Sequence, residues 1–305
     1  MSEPLVIEDW SWEITRNCNQ RCAHCIIGGQ ETGEINTADA LSAITKIVSQ
    51  GGKRLHLTGG EPFVRGDLLL LVNRAVATGL SVNIITNGIL QDAIMPFVKE
   101  GLIDQIGISI DGNKTAHDHI RGHGSYRKTV STVKAIVEAV LPVTVYLTIN
   151  SLSIYHLGEV VSEMIELGVR SFHLNDINIE GRVKSNHYLE INGLDEKEKL
   201  EIISSQLDPL VEISDLSVDR SCTISPKIAY VDFKGHVYAC TELARTNLTS
   251  MIAPLLDEDF ADRFRSYHSS IMKPDKCRYS LYSTSGMDIC LNCSGSCPAM
   301  KGGLI

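Results

Sequence analysis

The chain lacks most of the features that would place it outside ordinary soluble proteins. It opens MSEPLVIEDW, with neither a basic start nor an apolar run, so no signal peptide is recognisable. Its longest apolar stretch, DLLLLVNRAVATG, is too short and too interrupted to span a bilayer. No basic block offsets the formal net charge of −9, which argues against a general affinity for nucleic acid. There is no short internal repeat and no low-complexity segment. These absences predict a cytoplasmic protein with no nucleic-acid and no membrane partner.

Cysteine is also missing, but only from the middle. The nine cysteines fall into two sets: Cys18, Cys22 and Cys25, and then Cys222, Cys240, Cys277, Cys290, Cys293 and Cys297. A cytoplasmic chain keeps its thiols reduced, so disulfides do not explain them. Clustering of this kind suits metal or iron–sulfur ligation.

What is present is a recurring strand followed by an amphipathic helix. Strand-like runs occur at WSWEIT, RLHLTG, SVNIITN, QIGISIDG, VTVYLTIN and SFHLNDI, with helical patterns at 37–50, 66–79, 91–101, 125–140 and 153–168. Asn36 or Thr37 is placed to cap the first helix. Alternation predicts a parallel sheet covered by helices. Six units up to about residue 190 fall short of a complete eight-unit barrel, so the expected fold is α/β, a partial (β/α)6 TIM-like barrel. A charged bridging helix is expected over 195–208. Beyond it, KIAYVDFKGHVYAC reads as a hairpin with DFKG at the turn. The domain boundary is placed near 210: a barrel over 1–210, and a small cysteine-rich iron–sulfur domain over 211–305.

The loop ITRNCNQRCAHC follows the first strand, at the carboxyl end where parallel α/β folds place their chemistry. Its C-x3-C-x2-C spacing gives three thiolates, whereas an ordinary 4Fe–4S site uses four. One iron is thereby left for a ligand that is not protein. A zinc site would want a fourth ligand, and His24 could offer one, although a residue adjacent to Cys25 in so tight a loop points away from its neighbours' focus.

That loop, followed by TGGEP after the second strand, resembles the radical S-adenosylmethionine (SAM) superfamily. The resemblance implies a 4Fe–4S cluster on Cys18, Cys22 and Cys25, with SAM chelating the open iron. Reductive cleavage of SAM, fed by an external electron donor of flavodoxin or ferredoxin type, would give a 5′-deoxyadenosyl radical that abstracts hydrogen from substrate. Gly59 and Gly60 would let the backbone approach a ligand, and Glu61 would receive the methionine ammonium. Asn87 and Ser109 end the third and fourth strands and aim at the same mouth, with Asn150 a further candidate from the fifth. By the same resemblance Ser109 contacts SAM and Arg121 pairs with its carboxylate, unless Arg121 is only a surface residue starting a helix. Asp111 is expected to support a turn.

The second cysteine set resembles the auxiliary-cluster extensions called SPASM and, in shortened form, twitch. Cys222, Cys240, Cys290 and Cys293 would hold one auxiliary 4Fe–4S cluster. Cys277 and Cys297 are then spare, and a spare thiol could return a hydrogen atom to a substrate radical, or Cys277 could be a buried small hydrophobe. A second auxiliary cluster with an open or non-cysteine ligand is the alternative.

Two substrates fit this pattern. One is a ribosomally made peptide that undergoes epimerisation, cross-linking or excision, either docking directly or through a discrete recognition protein, since no leader-binding domain is expected at the front. The other is a small polar molecule such as an aminocyclitol, dehydrogenated or epimerised. A non-enzymatic iron–sulfur scaffold is the outlying reading. Asp176, Glu180 and Arg182, after the sixth strand, are expected to face the substrate.

Overall fold

The computed structural model describes residues 6–27, 29, 31–211, 215–218, 227–239, 244 and 251–271. Cys222, Cys240, Cys277, Cys290, Cys293 and Cys297 all lie outside the described residues.

Six parallel strands stand side by side in chain order: β1 (Asp9–Glu13), β2 (Arg54–Thr58), β3 (Ser81–Thr86), β4 (Gln105–Ser109), β5 (Val143–Ile149) and β6 (Ser171–Asp176). The first five are each followed by helix: α1 (Thr37–Ser49), α2 (Leu68–Ala77), α3 (Gln91–Lys99), α4 (Lys114–Arg121) with α5 (Ser125–Glu138), and α6 (Leu157–Glu166). This is the expected partial barrel. Alternating burial along the strands shows how it is read from sequence. In DWSWE the side chains two apart, Trp10 and Trp12, are both fully buried. Their indole N–H groups still find carbonyls, Ile7 at 2.9 Å and Asp232 at 3.2 Å.

Asn36 caps α1, its side-chain oxygen accepting from Asp39 N at 3.0 Å. The bridging helix is observed as α7 (Glu196–Val211), and Gln206 ties it to the α6 layer by donating to Ile154 O at 2.6 Å. The short helix α4 is not foreshadowed by apolar periodicity. Arg121 is its last residue and is buried, so the surface helix-start reading of that arginine is corrected.

The sheet does not stop at residue 210. Strand β7 (Asp215–Val218) adds in parallel to β6, and β8 (Ile228–Val231) adds in parallel to β1. Then β8 turns back into β9 (His236–Tyr238), the expected hairpin, with the Asp232 carboxylate accepting from the N–H groups of Lys234 and His236. A two-residue strand, β10 (Ala253–Pro254), closes that edge, and α8 (Phe260–Ile271) packs Phe260 against Trp10. The ten strands thus run β10-β9-β8-β1-β2-β3-β4-β5-β6-β7. Among the described residues no helix is long and apolar enough to cross a membrane.

Candidate functional site

The cysteine loop leaves β1 under tight backbone control. Ile14 O accepts from Arg65 Nη1 at 2.5 Å, Thr15 O from Gly60 N at 2.8 Å and Asn17 O from Glu61 N at 2.8 Å. Two glycines permit this approach. Gly59 has φ +146°, and a Cβ on Gly60 would stand 2.2 Å from Asn17 O. The close neighbour of both glycines is therefore the cysteine loop itself.

Glu61 is fully buried where β2 ends. Its carboxylate accepts from Phe63 N at 3.2 Å, Thr86 Oγ1 at 2.8 Å and Asn87 N at 2.8 Å. Burial pushes its pKa up while those donors and Arg121 act against the rise. Asn87 carries the link onward, its side-chain nitrogen donating to Asn19 Oδ1 at 2.7 Å inside the cysteine loop.

On the opposite flank the loop is held by Asp111, just beyond β4. This carboxylate is fully buried, ion-paired with Arg121 Nε, and 3.3 Å from His24 Nε2. Burial alone would raise the Asp111 pKa, but Arg121 and the two nearby imidazoles hold it well below the usual carboxylate range. Arg121 is raised in turn: burial opposes its charge, and Asp111 with the Cys22 thiol outweighs that cost. The Asp111 backbone N–H donates to His117 Nδ1 at 3.3 Å, which leaves the proton of that neutral ring on Nε2. Main-chain bonds complete the clasp, Ala23 N donating to Ile120 O at 2.8 Å and Gln20 Nε2 to Arg121 O at 3.0 Å. No sequence spacing joins Asp111, His24 and His117; the only signal was their type.

Cys18 and Cys25 lie close enough to act on the ionisation of Cys22, and none of the three is in a disulfide. Burial raises Cys18 and lifts Cys22 to about 11, with Arg121 pulling the other way. Among the described residues no three His, Cys, Asp or Glu side chains converge as they would on a single metal ion. Thiols that hold different irons of a cubane need not share one focus, and Arg121 supplies a cation where three thiolates would gather. His24 is engaged with Asp111, away from the thiols. The donor set thus fits a cluster with three protein ligands better than zinc.

Of the remaining candidates, Ser109 ends β4 in register with Tyr146, two residues short of Asp111. Asn150 is fully buried and uses its amide locally, donating to Thr148 O at 2.9 Å and accepting from Leu152 N at 2.9 Å. After β6, Glu180 pairs with Lys184. Arg182 holds the cysteine loop: its Nη1 donates to Cys22 O at 3.2 Å and its backbone N–H to Cys25 O at 3.0 Å.

Residues 12–168, from β1 through α6, match the family model described as Radical SAM superfamily. The chain belongs to the radical SAM superfamily. Membership implies a 4Fe–4S cluster and SAM, for which Cys18, Cys22 and Cys25 are the candidate ligands. Among relatives, an AdoMet-dependent heme synthase of Methanosarcina barkeri is 29% identical over 170 residues, 54% of this chain and 49% of that protein. A PqqA peptide cyclase of Methylocella silvestris is 32% identical over 165 residues, 52% of this chain and 44% of that protein. The chain spans about half the length of the curated relatives it matches. Among solved structures, Streptococcus suis SuiB bound to S-adenosylmethionine superposes with a TM-score of 0.74 at 12% identity, covering 97% of this chain and 72% of that one. That likeness shows the radical SAM fold.

Proposed function

We propose that this radical SAM protein modifies an unactivated C–H bond in a ribosomally made peptide, by epimerisation, cross-linking or excision. The observation that carries the peptide reading is the likeness to PqqA peptide cyclase through the barrel, joined to the six cysteines from Cys222 onward, a pattern resembling the SPASM and twitch extensions of peptide-modifying enzymes.

When bound, the cluster and SAM supply a 5′-deoxyadenosyl radical for hydrogen abstraction. The chain's own contribution is to hold and orient. Cys18, Cys22 and Cys25 would hold the cluster. Arg121 uses its Nε on Asp111, so its two Nη groups are left for the SAM carboxylate. Glu61, which accepts three protein hydrogen bonds, has lone-pair capacity left for the methionine ammonium. Gly59, Gly60, Asn87, Ser109 and Asn150 shape the wall around that seat. Cys222, Cys240, Cys290 and Cys293 would hold the auxiliary cluster in a C-terminal unit beginning near residue 211. An external electron donor and a discrete peptide-recognition protein complete the proposal, in the cytoplasm.

A second reading takes a small polar molecule such as an aminocyclitol as substrate; the heme synthase relative favours it only in that its named product is not a peptide. The test is anaerobic turnover in deuterated water of reconstituted enzyme with the precursor peptide encoded beside its gene, so that epimerisation also changes the mass, followed by peptide mass spectrometry and 5′-deoxyadenosine release. A changed peptide mass that is lost in Cys22→Ala supports the peptide reading. An unchanged peptide, with coupled turnover of a small substrate, overturns it.

A further inference from the structure

An open cleft of about 550 Å³ lies beside the cysteine loop, lined by Arg21, Ala23, Gly181, Arg182, Ser185 and Asn186. Its floor is the main chain of the loop. Arg182 donates to the carbonyls of Cys22 (3.2 Å, from Nη1) and Cys25 (3.0 Å, from N), and Asn186 Nδ2 donates to Ala23 O at 3.1 Å. Gly181 is pressed so close that a Cβ there would stand 2.4 Å from both Cys25 O and Ile26 O. Two of the three candidate cluster cysteines are therefore reached from this surface through a single layer of backbone. The buried network of Glu61, Asn87 and Asp111 holds the same loop from other elements.

The cleft is also an electrostatic exception. The chain carries a formal net charge of −9, a field that repels an acidic protein in general. Among the described residues no carboxylate lines the cleft, whereas two guanidinium groups do. Arg21 is exposed with no ion-pair partner among the described residues, and the buried Nε of Arg182 has no hydrogen-bond partner. Lys184 beside it is paired with Glu180.

We infer that this cleft is the docking face for an acidic one-electron carrier protein of flavin or iron–sulfur type. The inference rests on the cluster reading of Cys18, Cys22 and Cys25 and not on the choice of substrate. One electron leaves the reduced carrier, which is oxidised by one unit, and takes the cluster from its 2+ to its 1+ state. No proton moves and no bond forms or breaks. A substrate needs the thiol side, where SAM is held, but a carrier needs only a short path to the irons. The backbone side, with its local positive charge, provides that path.

The test compares holoenzyme with Arg21→Glu and Arg21→Lys, using a small acidic flavodoxin as the probe. Iron content and the cluster's absorption spectrum are checked first and should match in all three. Flavodoxin binding by titration should weaken by about tenfold or more in Arg21→Glu at low ionic strength, and recover in Arg21→Lys. The difference should shrink as salt screens the charges. SAM cleavage driven by reduced flavodoxin should need correspondingly more carrier, while cleavage driven by dithionite stays within about twofold. Unchanged flavodoxin binding in Arg21→Glu would place the docking face elsewhere. An equal loss with dithionite would mean that Arg21 acts on the loop, and the inference would be wrong. Normal uncoupled cleavage with selective loss of substrate turnover would assign the cleft to the substrate instead. None of the supporting measurements uses a substrate, so failure of the peptide reading leaves them untouched.

Discussion

His24 Nε2 lies 3.3 Å from Asp111 Oδ2, so a residue between two of the three loop cysteines leans on the end of the fourth strand. The same oxygen meets Arg121. Removing that charge strands a buried guanidinium. Asp111→Asn should destabilise the protein by about 3–5 kcal/mol, read by chemical unfolding. Iron loading of the three-cysteine site should fall in parallel, whereas Asp118→Asn, at a carboxylate capping the next helix, should leave loading intact.

Gly60 tests the contact on the other flank. Gly60→Ala forces a methyl group against a backbone oxygen that cannot rotate away. A cost of about 1–3 kcal/mol is expected, together with a several-fold drop in SAM-dependent 5′-deoxyadenosine release. Gly66→Ala, where a Cβ would meet nothing within 4 Å, is the control and should behave as the parent.

Iron stoichiometry follows from the cysteine inventory. Anaerobic reconstitution should give about eight irons per chain as two 4Fe–4S clusters, and about four when Cys18, Cys22 and Cys25 are all changed to Ala. Cys22→Ala should also abolish uncoupled SAM cleavage. An intact-protein value near twelve would bring Cys277 and Cys297 into a third cluster.

Stability should depend on pH through two buried imidazoles. Burial, with help from Arg121, pushes His117 down to about 4, and burial alone does the same to His268. Their ordinary value is 6.5, so between about 6.5 and 4 the unfolded chain binds more protons than the folded one. Stability is therefore full above that window and declines as pH falls through it, by about 3 kcal/mol for each ring. His117→Asn keeps an acceptor for Asp111 N but cannot titrate. Unfolding free energies measured from pH 7 to 4 should lose about one proton of slope in that variant.

The spare thiols separate reaction types. In an epimerase, one of Cys277→Ala or Cys297→Ala would keep SAM cleavage and full iron content yet lose turnover, and solvent deuterium would appear in the product. We expect both variants to turn over normally, which makes the auxiliary cluster the electron outlet.

The parts of this site that were legible in the sequence are the parts encoded locally. Cys18, Cys22 and Cys25 share one loop, TGGEP and TNG each end a strand, and the hairpin announces itself by DFKG. Glu61 and Asn87 were expected at one mouth, but their mutual hydrogen bond joins two strand ends and has no spacing to betray it. Asp111 was taken for a turn residue because its partners, His24 and Arg121, are distant in the chain. Helix α4 was missed because KTAHDHIR offers only Ala116, His117 and Ile120 to the interior, too few for a 3.6-residue period to stand out. The pairing of β7 with β6 and of β8 with β1 is not legible either, since nothing in a short strand says which edge it will extend.

The loop's anchors come from residues 60, 61, 65, 87, 111, 120, 121, 182 and 186, and all are bonds within the protein. The loop's main chain is therefore held by protein bonds alone, and iron is expected to enter a scaffold that is already folded. Oxidative loss of the cluster then strips the cofactor without dismantling its seat. A chain damaged by oxygen is a candidate for reloading with iron and sulfide, not for degradation and resynthesis.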